Sequence, residues 1–114
     1  MLEKWNKDQL INFTERMAGF NELVNKNHPV LVDFFATWCG PCKMMPPILK
    51  DLKEKVGDRA SILKIDVDKN QKLANKLNIR GVPTLVIYKH GKIVWRASGV
   101  KQAHELEQLI KKFS

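Results

Sequence analysis

Val30-Leu31-Val32-Asp33-Phe34-Phe35 is a run of β-branched and aromatic residues, nearly all apolar, closed upstream by His28-Pro29. A half-exposed strand alternates apolar and polar residues. A run this uniform reads as a strand buried on both faces. Such a strand needs a layer above it and a layer below it, so the chain is directed toward a central sheet covered by helices. The remaining sequence supplies those layers. Met44, Met45, Ile48, Leu49, Leu52 and Val56 recur at helical spacing after Gly40-Pro41 and stop at Gly57. Pro46-Pro47 lies inside that pattern and predicts a kink. Phe20–Lys26 has helical spacing, Ser61–Val67 reads as a second strand interrupted by Lys64 and Asp66, and Gln71–Leu77 reads as a short helix. Thr84–Tyr88 and Ile93–Ala97 flank a hairpin signal at Lys89-His90-Gly91-Lys92, and Gln102–Phe113 is an amphipathic helix. Leu10–Phe13 reads equally as a short strand or a helix start. The order (β)αβαβαββα predicts an α/β domain with a parallel core, antiparallel strands from the terminal hairpin, and helices on both faces.

The chain has 114 residues, a length that suits one domain over 1–114. Hydrophobic types make up 44% and charged types 28%, which excludes the disordered and low-complexity classes. No apolar run approaches the ~20 residues of a membrane span. Glu3, Lys4, Lys7, Asp8, Glu15 and Arg16 leave no sustained apolar stretch near the N-terminus, so no signal peptide and a cytoplasmic location are expected. Net charge is +8. Residues 1–29 carry four basic and four acidic side chains, so the whole excess lies downstream. A basic surface attracts acidic partners or nucleic acid. Lys69, Lys72, Lys76 and Arg80 are candidates for one such face, but neither aromatic interleaving nor a binding motif accompanies them. A solvated basic helix is the expectation, with no nucleic acid and no membrane as partner.

The chemistry concentrates in Trp38-Cys39-Gly40-Pro41-Cys42-Lys43, where the two cysteines of the chain stand three apart between a strand and a helix. Three readings compete. A structural disulfide closing a loop of about four residues is worth only ~2 kcal/mol, against ~3 for fifteen residues. Half a zinc site lacks its other ligands, because His28, His90 and His104 stand singly. A redox dithiol fits best: the first sulfur falls at a helix N-terminus, near unpaired N–H groups that favour thiolate over thiol. The depression typical of reactive dithiols takes about 2 kcal/mol. A helix dipole supplies roughly 0.3–1, at most ~2 kcal/mol, so direct N–H hydrogen bonds and the second sulfur must share the work. Asp33 stands out for another reason, being a carboxylate in the middle of a doubly buried strand. Lys64 is its counterpart, a cation between Leu63 and Ile65. On neighbouring strands the two charges would approach each other beneath the cysteines; a structural buried pair, or Lys64 snorkelling outward, competes with that reading.

The segment from Val32 to Met44 resembles the active-site segment of the thioredoxin family. The likeness continues at Pro47, at Lys64 through Asp68, at Arg80-Gly81-Val82-Pro83-Thr84, at Gly91 and at Gly99, and spans roughly residues 20–114. It implies a thioredoxin-like fold and a protein-disulfide reductase. By that resemblance Cys39 is the exposed nucleophile, Cys42 the buried resolving cysteine, Asp33 the acid that takes the Cys42 proton, and Lys64 its modulator. Val82-Pro83 is implied to be a cis peptide facing the cysteines. Trp38, Gly40, Pro41, Val82, Pro83, Gly99 and Val100 are implied to form a flat apolar docking surface for extended substrate segments. No metal or bound cofactor is implied: the redox-active group is the Cys39–Cys42 disulfide, and electrons come from thioredoxin reductase, a flavoprotein using NADPH. Disulfide-containing proteins are the substrates, and the chain is expected to act as a monomer. Gly40-Pro41 resembles the dipeptide of reductants, since it adds no cation to stabilise the thiolate. Phe35 stands where many of the family carry Trp, Pro46 makes a double proline, residues 1–19 match poorly, and Trp5 and Trp95 have no implied role. A disulfide oxidase or isomerase of the same fold, or a binding module without redox turnover, are the alternatives.

Overall fold

The computed structural model describes residues 19–114. Leu10–Phe13 and Trp5 lie outside the described residues. Helical backbone at 19–24 leads into β1 (Val30–Phe35), a 3₁₀ turn (Pro41–Met44), α1 (Met45–Val56), β2 (Ser61–Asp66), α2 (Gln71–Lys76), β3 (Thr84–Lys89), β4 (Lys92–Ser98) and α3 (Ala103–Lys112). Among the described residues the sheet has four strands in the order β2-β1-β3-β4. Strand β1 is buried from Val30 to Phe34, with Phe35 half-buried, as its composition requires.

Alternation along β1 divides the core into two layers. Leu31 faces Leu49, Leu52 and Val56 of α1 and Leu106 and Ile110 of α3, with Leu85 and Ile87 beside it. Val30, Val32 and Phe34 face the other way, onto Phe20, Val24 and Leu73, with Val86 and Tyr88 alongside. Asp33 and Phe35 share the parity of Leu31 and lie on the α1 side. Trp95 is partly buried against that same layer. Tyr88 meets the Phe20 ring edge-on at 5.6 Å, and burial pushes its phenol up to about 12 against the opposing pull of Arg96.

One expectation is corrected. The prolines do not kink a helix; they mark where one starts. Pro46 cannot donate to the Cys42 carbonyl, and the Met45 N–H takes that acceptor instead in a 3₁₀ bond. Pro46 and Pro47 then occupy the first turn of α1, where the missing donors cost nothing. The sheet is mixed, as expected: among the described residues β1 and β2 run parallel, and β3 of the terminal hairpin runs antiparallel to β1. Helix α2 has six residues, a length of about 9 Å, too short to carry the chain back along a strand of ~20 Å. The link from β2 to β3 therefore crosses over at the end of the sheet where β2 finished. That same end carries the cysteines.

At the opposite end, His90 and Gly91 make a two-residue turn with φ of 53° and 78°, the geometry that suits the twist of a tight hairpin. Leu52, fully buried between the sheet and α3, provides a test of the helical layer. Leu52→Ala is expected to lower unfolding stability by about 2–5 kcal/mol, and Lys50→Ala by less than ~0.5 kcal/mol, in urea titrations.

Candidate active site

The site is built where β1 ends. Cys39 and Cys42 are joined in a disulfide with their Cα atoms 5.3 Å apart. The loop between them is held by backbone bonds from Cys39 N–H to the Ala36 carbonyl (3.2 Å) and from Lys43 N–H to the Gly40 carbonyl (3.1 Å). The Cys42 N–H donates to Cys39 Sγ at 3.1 Å. That donor belongs to the first turn of the 3₁₀ segment. When the disulfide opens, it stands ready to hydrogen-bond a thiolate on Cys39. Cys39 is 4% exposed and Cys42 6%. The contrast of one exposed and one buried sulfur is therefore absent in the bonded form. Ala36, Val67, Val82 and Phe35 pack around both.

The other residues singled out from the sequence surround this pair. The Val82–Pro83 peptide is cis, and the Val82 carbonyl oxygen lies 3.6 Å from Cys39 Sγ. The Pro83 carbonyl accepts the Gly99 N–H at 2.8 Å, which brings the loop after β4 beside it. Gly99 has φ of 96°, a conformation that a side chain would strain. Val82, Gly99 and Val100 are half-buried and Pro83 is buried, while Gly40 and Pro41 are exposed. Trp38 is 70% exposed. It is nonetheless anchored, because its indole Nε1 donates to Asp68 Oδ2 at 2.9 Å.

Asp68 and Thr84 are site residues that the sequence reading did not single out. Asp66 Oδ1 accepts the Asp68 N–H at 2.9 Å, which shapes the turn that presents Asp68 to the indole. An Asp-x-Asp-Lys-Asn run after a strand is a turn signature, and that signal was available. Thr84 is fully buried. Its hydroxyl donates to the Gly81 carbonyl at 2.6 Å and lies 3.3 Å from Ser98 Oγ, which ties the Val82-Pro83 loop to both hairpin strands. A lone threonine opening a strand carries no comparable signal.

Asp33 and Lys64 occupy paired register positions on β1 and β2. They do not form an ion pair. Lys64 is exposed, with its ammonium 4.6 Å from the centre of the Phe35 ring. It snorkels outward and keeps its hydration, while its methylenes and charge cover the aromatic face. Asp33 is fully buried, and neither carboxylate oxygen has a hydrogen-bond partner among the described residues. Burial raises its pKa to about 6, against the weaker opposing pull of Lys64.

A raised carboxyl pKa means that the folded protein disfavours the charged form. The penalty is absent below the ordinary value of 3.8, grows as pH rises, and is complete above about 6. Asp33→Asn is thus expected to stabilise the fold at pH 7–8 by about 3 kcal/mol. Thermal unfolding at pH 3.5 should show no such gain; an equal gain at both pH values would contradict the charge origin.

The sequence matches the family model described as Thioredoxin over residues 10–112. A thioredoxin Y, chloroplastic, of Oryza sativa subsp. japonica is 45% identical over 97 residues, covering 84% of this chain; the chain spans 58% of that protein's length. A thioredoxin-like protein of Synechocystis is 44% identical over 107 residues, covering 94% of this chain and 96% of its own. The solved N21Q mutant thioredoxin from Halobacterium salinarum superimposes with a TM-score of 0.77 at 40% identity, covering 84% of this chain and 83% of its own. With the fold, the bonded cysteine pair and the surrounding loops all in agreement, the chain belongs to the thioredoxin family, whose paired cysteines perform thiol–disulfide exchange.

Proposed function

We propose that this thiol–disulfide oxidoreductase works in the reducing direction on protein disulfides, with Cys39 as nucleophile and Cys42 as resolving thiol. The observation that carries the assignment is the Cys42 N–H held 3.1 Å from Cys39 Sγ. A donor already aimed at one sulfur selects that sulfur as the thiolate. Reduced Cys39 attacks one sulfur of the substrate disulfide. A Cys39–substrate bond forms, the substrate S–S bond breaks, and the departing sulfur leaves as a thiolate that takes up a proton. Cys42 then loses its proton and attacks Cys39 Sγ. The mixed disulfide breaks, the second substrate sulfur leaves as a thiol, and the Cys39–Cys42 disulfide remains. Two electrons and two protons have passed to the substrate. The second attack is intramolecular, so the mixed disulfide is short-lived.

Asp33 is the proposed acceptor for the Cys42 proton. Its burial supports that role, because a carboxyl raised to about 6 lies closer to a thiol than an ordinary carboxylate does. Trp38, Gly40, Pro41, Val82, Pro83, Gly99 and Val100 are the proposed docking surface, gathered by the Gly99–Pro83 and Trp38–Asp68 hydrogen bonds. Reduction of the resulting disulfide is assigned to a flavoprotein reductase that draws on NADPH. The setting proposed is a reducing compartment, the cytoplasm. Among the described residues no helix is long and apolar enough to cross a membrane, and the rice relative is named as chloroplastic.

Cys39→Ser is expected to abolish reduction of a protein disulfide, and Cys42→Ser to accumulate the mixed disulfide, seen as added mass by non-reducing mass spectrometry. Full turnover by Cys39→Ser would end the assignment. Asp33→Asn is expected to slow resolution about 10²-fold and to remove the limb of the pH–rate profile that rises through about 6. In a glutathione buffer poised near about −220 mV, a reductant holds its own disulfide and the protein should be mostly oxidised. A mostly reduced protein would point to an oxidase or isomerase.

A further inference from the structure

The docking surface is apolar, but its margin is cationic. Four separate chain segments each bring a basic side chain to the end of the sheet where the disulfide lies. Lys43 follows Cys42 directly. Lys69 follows Asp68, the residue that anchors Trp38. Arg80 precedes Val82 by two positions, and Lys101 follows Gly99 by two. Lys43, Lys69 and Arg80 are exposed, and Lys101 is half-exposed. The ion pairs of the described residues lie elsewhere, on the outer faces of α1 (Lys55–Asp51) and α3 (Lys111–Glu107), so none of these four cations is neutralised by one.

Among the described residues, the carboxylates at this end other than Glu105 are less exposed than Lys43, Lys69 and Arg80. Asp33 is fully buried. Asp66 and Asp68 are half-buried, one accepting the Asp68 N–H and the other the Trp38 indole N–H. Among the described residues Glu105, on the first turn of α3, is the exposed acid on that side. Behind the margin stands a whole-chain charge of +8. A positively charged rim around an apolar patch raises the encounter rate of negatively charged partners and disfavours positively charged ones.

We infer that the site selects acidic substrates: proteins whose reactive disulfide is flanked by Asp or Glu. This selectivity rests on the reductase assignment and adds a substrate class to it. The apolar centre accepts an extended segment of almost any sequence. The rim then discriminates by charge, mainly through the rate of association.

Three disulfide peptides of equal length, flanked by Glu, Gln or Lys, separate the possibilities. Each kcat/KM, with dithiothreitol as the dithiol that recharges the protein, is divided by the rate of the same peptide with dithiothreitol alone. That division removes the effect of flanking charge on intrinsic disulfide reactivity. At low ionic strength the Glu peptide is expected to exceed the Lys peptide by roughly 10–100-fold, with Gln between them. The ratio should fall toward unity at 0.5 M salt, about three times the screening concentration at which the Debye length is 8 Å. In the triple variant Lys69→Glu, Arg80→Glu, Lys101→Glu the order should invert. The salt titration of the unaltered protein reads the same effect without any variant. Equal, salt-independent rates for all three peptides would overturn the charge selectivity and leave the reductase standing. Failure to reduce even the Gln peptide would overturn the reductase assignment beneath it.

Discussion

Burial of β1 on both faces is the constraint on which the rest depends. A strand with no solvent face can satisfy its backbone only with strands on either side, and here β2 and β3 take those places. Its side chains need two packing layers, which α1 and α3 supply on one face and α2 with the 19–24 helix on the other. Because the strand is central, whatever follows it emerges at the middle of one sheet end. The first cysteine follows it after three residues, Ala36, Thr37 and Trp38. The location of the cysteine pair at the mouth of the fold is thus a consequence of packing the six residues of that strand.

The same burial creates a cost in the middle of the strand. Asp33 enters a layer otherwise made of apolar side chains, with no hydrogen-bond partner among the described residues. Such a group is retained against stability, and its burial holds the proton up to a pH of about 6, well above the ordinary carboxylate range. Lys64 limits the penalty from a distance without cancelling it. If it formed a contact pair, the carboxyl would be pulled back toward the ordinary range and lose its match to a thiol. The outward turn of Lys64 over Phe35 keeps the interaction partial.

Much of this was legible from the sequence because the signals were local. The uniform apolar run of β1, the helical spacing from Met45 to Val56, the His90-Gly91 turn and the cysteine spacing each report on a few consecutive residues. The family resemblance then assembled them. What escaped was non-local. The roles of Asp68 and Thr84 depend on partners 30 and 14 positions away. The prolines at 46 and 47 were visible, but their effect turned on which carbonyl each would have paired. The residues around Lys64 in sequence allow it to turn inward or outward, and the Phe35 ring that its ammonium covers lies 29 positions away.

The hairpin tip opposite the cysteines is fastened as well as tight. The His90 N–H bonds to the Lys26 carbonyl at 2.8 Å, and the Gly91 N–H to the Val24 carbonyl at 3.1 Å. Two strands and the helix-to-β1 connection are therefore stitched together at one pole of the molecule. The tip therefore cannot fray without also releasing the connection into β1, because separation would leave the Lys26 and Val24 carbonyls and both turn donors unpaired.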